Sequence, residues 1–264
     1  MSTAILHPDT IDVHTYIGAY PFRHLPHPDP EVLVQVLARE GISGAWVGSL
    51  PAAFHRDPLP ANEQLFEALE RFSHLAPVPV VRPDWPRWEH TLRQTIEAGA
   101  PAVKAYPPQW GMSPGDRRLD ALAVACGDAG VALLLTVRFE DLRQRHEMDT
   151  AGDLTPATIR AVARASRRCR IVVLGAGRGT IEEVHWGLTP DEQSRLWWDI
   201  SWVWGPPEDD LAHLVRSIGA SRLMYGTGWP LRLTQTPRAN LALLPADLSG
   251  ARLASANGLL DGSR

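Results

Sequence analysis

Short apolar runs alternate along the chain with segments in which apolar residues recur at helical spacing. Each run covers four to seven residues, a length typical of buried strands rather than helices. Eight strands are predicted in this way: Ile11–Tyr16, Ala45–Ser49, Ala76–Val81, Ala102–Ala105, Val131–Val137, Arg170–Leu174, Leu196–Ser201 and Arg222–Tyr225.

Helical segments such as "PEVLVQVLAREG" and "RRLDALAVACGDAG" lie between these strands, and several of them end at glycine: Gly41, Gly99, Gly130 and Gly219. Glycine readily adopts the left-handed conformation that closes a helix. Eight strands with helical segments between them, in 264 residues, predict an α/β fold, a (β/α)8 TIM barrel that forms a single domain over residues 1–264. An open doubly wound sheet is the alternative, but it usually has fewer strands, and no G-x-G-x-x-G motif follows the first one.

The composition is that of an ordinary folded protein and argues against several kinds of partner. Hydrophobic residues make up 44% of the chain and charged residues 21%, and the formal net charge is −4. This balance provides no large basic surface for nucleic acid or an anionic membrane. We expect neither a leader sequence nor a membrane-spanning segment, and the two cysteines suit reduced thiols. We therefore expect a cytoplasmic protein whose partner is a small molecule.

In a TIM barrel, the residues that end the strands point into one mouth, and active sites lie there. This rule brings together polar and aromatic side chains that are far apart in the sequence. The residues at or just beyond the strand ends include His14, Tyr16, Ser49, Arg82, Asp84, Lys104, Tyr106, Thr136, Arg138, Asp199, Ser201, Thr227 and Trp229.

Five stretches of the sequence are similar, in order and spacing, to one branch of a known enzyme superfamily. They are "IDVHTYIG", "AVKAYPP", "LLLTVRFED", "LWWDISWV" and "SRLMYGTGWP", and Asn257 follows near the end. Together they resemble the amidohydrolase 2 branch of the amidohydrolase superfamily over almost the entire chain. The resemblance implies a TIM barrel in which a divalent ion at the mouth activates water, and an aspartate after strand eight takes the proton.

The positions that would hold this metal differ from the family pattern. The first strand of the family carries Asp-x-His-x-His, but here His14 is followed by Tyr16. Thr136 stands where a strand-five histidine is usual, and Gly228 stands where the strand-eight aspartate belongs. Because transition-metal sites need about three or four protein ligands, we expect no bound metal and no other cofactor. The alternative is an improvised site that joins His14 with His24, His27 or His146.

Three polar residues on the strands are candidates for catalysis. His14 on strand one can hydrogen-bond Asp199 on strand seven, and this buried pair is either a general acid/base couple or purely structural. Lys104 on strand four is a candidate for contacting an anion. The alternative is that Lys104 pairs with Asp199 or Asp84 and holds the barrel together.

Further residues are candidates for binding the substrate. In "VRFEDLRQRHEM", Arg138 and His146 can enter the mouth together with Asp141, and an arginine there would hold a carboxylate or phosphate by two hydrogen bonds. If this segment is helical, its charges form surface ion pairs instead, Asp141 with Arg145 and Glu140 with Arg143. The remaining candidates are Tyr16, Tyr106 and Trp229. The ten tryptophans suit either an aromatic wall around a ligand or a subunit interface, so a homo-oligomer is an alternative.

The sequence supports three hypotheses about function. The first is an enzyme of amidohydrolase type that works without a metal, either a lactonase-like hydrolase or a decarboxylase-like enzyme, on a small carboxylated substrate. The second is a catalytically inactive barrel that binds a metabolite or a partner subunit, which the missing aspartate at Gly228 favours. The third is a metal-dependent hydrolase with non-standard ligands.

Overall fold

The computed structural model describes residues 6–26 and 28–261, and these contain the eight predicted strands. The strands are β1 (Ile11–Ile17), β2 (Gly44–Ser49), β3 (Leu75–Pro77), β4 (Ala102–Ala105), β5 (Ala132–Thr136), β6 (Ile171–Leu174), β7 (Leu196–Asp199) and β8 (Leu223–Met224). They pair in parallel and in sequence order, β1 to β3 in one sheet and β4 to β8 in another. Parallel neighbours need a crossover segment between them, which helices supply here.

Helices lie between all consecutive strands and follow the last one. They are α1 (Pro30–Glu40), α2 (Leu50–Phe54), α3 (Leu59–Leu69), α4 (Trp88–Glu97), α5 (Arg117–Ala129), α6 (Pro156–Ala165), α7 (Arg178–Trp186), α8 (Pro190–Gln193), α9 (Asp210–Ser217), α10 (Gln235–Ala242) and α11 (Ala256–Asp261). The predicted glycine stops are confirmed at α1 and α5, where Gly41 and Gly130 have φ angles of 70° and 73°.

Backbone hydrogen bonds join the two sheets at both of their edges and close the ring. Between β8 and β1, the Val13 amide donates to the Tyr225 carbonyl at 3.0 Å. Between β3 and β4, the Lys104 amide donates to the Pro79 carbonyl at 2.9 Å. The predicted (β/α)8 barrel is confirmed.

The third strand is shorter than predicted. Only Leu75–Pro77 pair regularly with β2, and Val80 forms an isolated bridge to Lys104 on β4. Pro77 and Pro79 lack the backbone N–H that a continuous strand donates to its neighbour, so the ladder is interrupted between them.

The barrel interior changes from apolar to polar along its axis. Ala102 and Leu134 belong to a buried apolar cluster inside the barrel. Because side chains alternate along a strand, Lys104 and Thr136, two residues further on, face the same interior at the carboxyl ends of the strands. The fold therefore places fully buried polar side chains under the mouth.

Asp12 fastens β1 to the loop that follows β8. Its Oδ2 accepts a hydrogen bond from the Thr227 hydroxyl at 2.6 Å, and its Oδ1 accepts from the amides of Thr227 and His14 at 3.1 and 2.9 Å. Burial raises the pKa of Asp12 to about 7, although these hydrogen bonds act to lower it. This clamp sets the position of His14 relative to β8.

We predict that Thr227→Val lowers the free energy of unfolding by about 1–3 kcal/mol, because valine leaves a buried carboxyl oxygen without its donor. Denaturant unfolding followed by circular dichroism measures the change. Thr150→Val, at an exposed position, is the control and is expected to stay within about 0.5 kcal/mol of the wild type. An unchanged midpoint for Thr227→Val would contradict the clamp.

Candidate active site

A chain of hydrogen-bonded side chains crosses the barrel beneath its mouth. Asp199 Oδ2 lies 2.7 Å from His14 Nδ1, and His14 Nε2 lies 3.0 Å from the Tyr16 hydroxyl. Thr136 Oγ1 is 3.5 Å from the same hydroxyl, and Ser201 Oγ is 3.2 Å from His14 Nδ1. The contact expected between His14 and Asp199 is therefore formed, and Tyr16 extends it.

Asp199 stays ionised although it is completely buried. Burial alone would raise the pKa of Asp199, but His14, whose Nδ1 lies at hydrogen-bond distance, and further donors outweigh burial and lower the pKa. Among these donors is the Gly175 amide, which lies 2.7 Å from Oδ1. A carboxylate with several donors is a permanent negative charge inside the barrel.

Burial favours the neutral form of the His14 imidazole, and Asp199 favours the tautomer with the proton on Nδ1. Burial lowers the pKa of His14, Asp199 opposes this, and the cations of Lys104 and Arg232 add to the lowering. A neutral imidazole beside a carboxylate donates from the nitrogen that faces it, which leaves a lone pair on Nε2. The Tyr16 hydroxyl donates to that lone pair, because burial raises the pKa of Tyr16 and keeps the phenol protonated.

Lys104 is the only lysine among the 26 basic residues of the chain, and it is completely buried. Its Nζ donates to the Thr15 carbonyl at 3.2 Å and lies 3.9 Å from the centre of the Tyr16 ring. Neither Asp199 nor Asp84 lies within ion-pair distance, so the alternative of a structural salt bridge is not realised. Burial lowers the pKa of Lys104 to about 7, with Asp12 and Asp199 opposing the shift.

Two glycines make room for this cluster, and the sequence reasoning did not use them. A β-carbon at Gly226 would lie 2.6 Å from Asp199 Oδ2 and 3.0 Å from His14 Cβ. A β-carbon at Gly48 would lie 2.8 Å from Lys104 Nζ. Any larger residue at either position would push these polar groups out of place.

The side chains of the cluster do not fit a divalent ion. Both ring nitrogens of His14 are engaged, by Asp199 and Tyr16, and the buried amine of Lys104 lies against the same tyrosine. Within residues 6–26 and 28–261, no group of three or more histidine, cysteine or carboxylate side chains is placed to hold a metal. His24 and His146 lie in loops outside the cluster, and His27 lies outside the described residues.

Aromatic side chains from the loops after the strands cover the cluster. The ring of Phe139 lies 5.3 Å from those of Tyr106 and Phe54 and 5.8 Å from that of Tyr16, centre to centre. The Tyr106 hydroxyl interacts electrostatically with Tyr16 but lacks a partner with hydrogen-bond geometry. As a result, Tyr16 and Tyr106 are completely buried, and His14 is 2% exposed.

The segment after β5 is not helical, so the ion pairs expected at helical spacing are replaced by others. Asp141 accepts from the Arg143 amide at 2.9 Å and from its Nε at 2.8 Å, which holds a turn in place of a helix. Arg145 pairs with Asp153. Arg138 also pairs with Asp153, at 2.7 Å.

The other predicted binding residues lie further out. His146 is exposed, stacks on Phe22 at 6.0 Å and accepts a hydrogen bond from the Met148 amide.

A cleft of about 720 Å³ opens beside the buried cluster. Its walls include Asp141, Trp202, Trp204, Trp229, Arg232 and Leu233. Thus the structure brings His14, Asp199, Lys104, Tyr16 and Tyr106 together, places Asp141 and Trp229 at the cleft, and leaves Arg138 and His146 outside the buried cluster.

Arg232 is a member of this region that sequence reasoning missed. Its guanidinium lies 4.1 Å from the ring centre of Trp202 and 5.3 Å from that of Trp204, and its charge acts on both His14 and Asp199. The sequence indicates Arg232 only by its position in the loop after strand eight, four residues past Gly228 in "GWPLR".

Comparisons with solved structures show that the fold is that of the amidohydrolase TIM barrels. An amidohydrolase II structure matches with a TM-score of 0.71 and 16% identity, over 96% of this chain and all of that one. A probable 2-pyrone-4,6-dicarboxylic acid hydrolase from Acinetobacter baumannii, solved with citric acid bound, matches with a TM-score of 0.65 and 11% identity, over 96% and 99%. The structure of 2,6-dihydroxybenzoate decarboxylase from Rhizobium matches with a TM-score of 0.63 and 14% identity, over 97% of this chain and 99% of that one.

No protein-family model and no curated protein sequence matches the chain. Among the residues that the structure describes, no helix combines the length and apolar character needed to cross a bilayer.

We predict that Lys104→Met raises the free energy of unfolding at neutral pH by about 1–4 kcal/mol, because methionine removes a buried amine that has no carboxylate partner. Lys104 titrates near pH 7 in the folded protein and near 10.5 in the unfolded chain. Between these values the unfolded chain binds more protons, so the wild type gains stability as the pH rises and the variant does not.

The stability difference should therefore be largest below pH 7 and shrink towards pH 10.5, which denaturant titrations across this range measure. A variant less stable than the wild type at pH 7 would mean that the amine stabilises the barrel.

Proposed function

We propose that the protein is a metal-independent enzyme of amidohydrolase type, a lactone hydrolase or a decarboxylase, that acts on a small carboxylated substrate. The observation that carries this proposal is the chain from Asp199 through His14 to Tyr16, beside the buried Lys104. Ionisable groups held together inside a low-dielectric site are expensive to bury, and such groups are concentrated at functional sites.

In lactone hydrolysis, the water whose oxygen attacks the lactone carbonyl gives a proton to the Tyr16 hydroxyl, while that hydroxyl passes its own proton to His14 Nε2. Asp199 holds the opposite ring nitrogen and stabilises the imidazolium that forms. Lys104 donates to the oxygen on which negative charge develops. When the ring C–O bond breaks, the leaving alkoxide takes the proton from His14, so the base returns to its starting state.

Decarboxylation would use the same residues in another order. The C–C bond to the carboxylate breaks, carbon dioxide leaves with no added reactant, and the electron pair stays on the ring carbon. A proton delivered through Tyr16 and His14 then completes the product. The structural neighbours include one protein named as a hydrolase and one named as a decarboxylase, so we propose both reactions as candidates.

The second candidate function is a binding protein without turnover. The burial of the cluster favours a binding protein. His14 is only 2% exposed, so catalysis requires a movement that opens a path to this residue. The predicted cytoplasmic location and the homo-oligomer alternative remain predictions under either candidate.

We predict that His14→Gln and Tyr16→Phe lower kcat/KM by about 100-fold or more on any lactone or aryl carboxylate that the protein turns over, because each variant breaks the proton path. Tyr225→Phe is the matched control. Its hydroxyl is buried without a partner, so it should retain activity within about twofold.

Circular dichroism confirms that each variant is folded before turnover is compared. Wild-type levels of turnover in His14→Gln would refute the mechanism. Binding without any turnover in the wild type would favour the second candidate.

The pH profile provides a separate prediction. Because the pKa of His14 is lowered from its ordinary 6.5, the acid limb of kcat/KM should fall below pH 6.5. Asp199 raises the pKa of His14, so Asp199→Asn should move this limb to still lower pH and also reduce the rate, because the correct tautomer is no longer held. An acid limb above pH 6.5 would show that His14 is not the base.

A further inference from the structure

The cleft beside the buried cluster contains four arginines, and three of them are already neutralised. Arg23 pairs with Glu140 at 2.7 Å, Arg39 with Glu40 at 3.0 Å, and Arg143 with Asp141 at 2.8 Å. A guanidinium in such a pair gains little by binding a second carboxylate. The fourth arginine, Arg232, is different.

The Arg232 side chain forms no ion pair and no hydrogen bond with any residue in the ranges 6–26 and 28–261. Its Nε is buried and lacks an acceptor. The Nε atoms of Arg138, Arg145 and Arg195 lack acceptors too, but each of those arginines is engaged through its Nη atoms. Among the described residues of this cleft, Arg232 is therefore distinguished by a guanidinium with no partner at any of its nitrogens. The central carbon of the guanidinium lies 4.1 Å from the ring centre of Trp202 and 5.3 Å from that of Trp204, contacts that use none of its hydrogen-bond donors on an acceptor atom.

Gly228 determines where this side chain lies. A β-carbon at position 228 would be 3.2 Å from Arg232 Cδ, so the arginine stem packs on the space that any larger residue would fill. Gly228 also has a φ of 75°, a conformation that favours glycine. Gly228 replaces the aspartate of the family that the sequence resembles, and it makes the space in which the Arg232 side chain lies.

We infer that Arg232, stacked on Trp202 and Trp204, is the specificity-determining residue of the cleft and binds the carboxylate of a planar organic anion. The guanidinium presents two parallel N–H groups to a carboxylate, and the tryptophan rings offer flat apolar surface to the ring that carries it. The charge of Arg232 reaches His14 and Asp199, so the anion is held beside the proton path.

This inference rests on the proposed function for its catalytic meaning, but its test is a binding measurement. Benzoate is the probe, because it combines a carboxylate with a flat apolar ring, and benzamide is its neutral counterpart. Isothermal titration of the full-length protein should show saturable binding of benzoate, and benzamide should bind about tenfold more weakly or less.

Arg232→Gln should weaken benzoate binding about tenfold or more, and Arg232→Lys should weaken it less, because a lysine keeps the charge but not the planar pair of donors. Arg143→Gln is the matched control, since it removes a paired arginine of the same cleft and should change binding by no more than about twofold.

A second variant covers the case in which Arg232→Gln does not fold. Trp204→Leu, at a side chain that is 39% exposed, removes one of the two rings that Arg232 contacts and should weaken benzoate binding about threefold or more.

The inference is overturned if Arg232→Gln binds benzoate as the wild type does, or if Arg143→Gln loses as much affinity. It is also overturned if the wild type does not bind benzoate at about 10 mM. Turnover that persists in the absence of benzoate binding would refute this inference alone, whereas binding that persists without turnover would refute the proposed function alone.

Discussion

The hydrogen bond between Asp199 and His14 is the interaction on which the barrel interior depends. A carboxylate that loses its donors in a closed, dry space is destabilised by several kcal/mol, so Asp199 needs all of its partners. Because Asp199 accepts from Nδ1, the imidazole has one tautomer and one orientation, and Nε2 faces Tyr16. The negative charge of Asp199 also lies in the field of Lys104 and Arg232, which are attracted to it without forming an ion pair with it.

The polar residues inside the barrel differ in a consistent way from those of the family that the sequence resembles. Where the resemblance implies a divalent ion between histidines, this chain has Tyr16 and Thr136, and the amine of Lys104 lies on the tyrosine ring. Where the family has an acid after strand eight, this chain has Gly228 with an arginine packed over it. The cationic side chains of Lys104 and Arg232 are positioned by packing on aromatic rings.

Much of the fold was predictable because apolar runs and glycine stops are local signals. The eight strands followed from such runs, and the errors have local causes as well, since Pro77 and Pro79 interrupt β3. The contact between His14 and Asp199 was predictable from the rule that strand ends meet at one mouth. The partners of Lys104 were not, because the length of its side chain allows several contacts and only the packing of Gly48 and Tyr16 selects one.

The loops were the least predictable part. Charges in the segment after β5 suited a helix by spacing, but the side chain of Asp141 holds a turn, and Asp153, many residues further on, draws in Arg138 and Arg145. Arg232 carries no sequence signal beyond its place in a loop, since the tryptophans that hold it come from another loop. Such sites depend on contacts between loops, which residue spacing does not encode.

The most direct test of the central claim is nitrogen-15 NMR of histidine-labelled protein at neutral pH, with His14→Gln to assign the signal. The account predicts that the His14 imidazole is neutral, with its proton on Nδ1 and a hydrogen-bonded lone pair on Nε2. An imidazolium, a proton on Nε2, or a signal that changes when metal ions are removed by a chelator would contradict it.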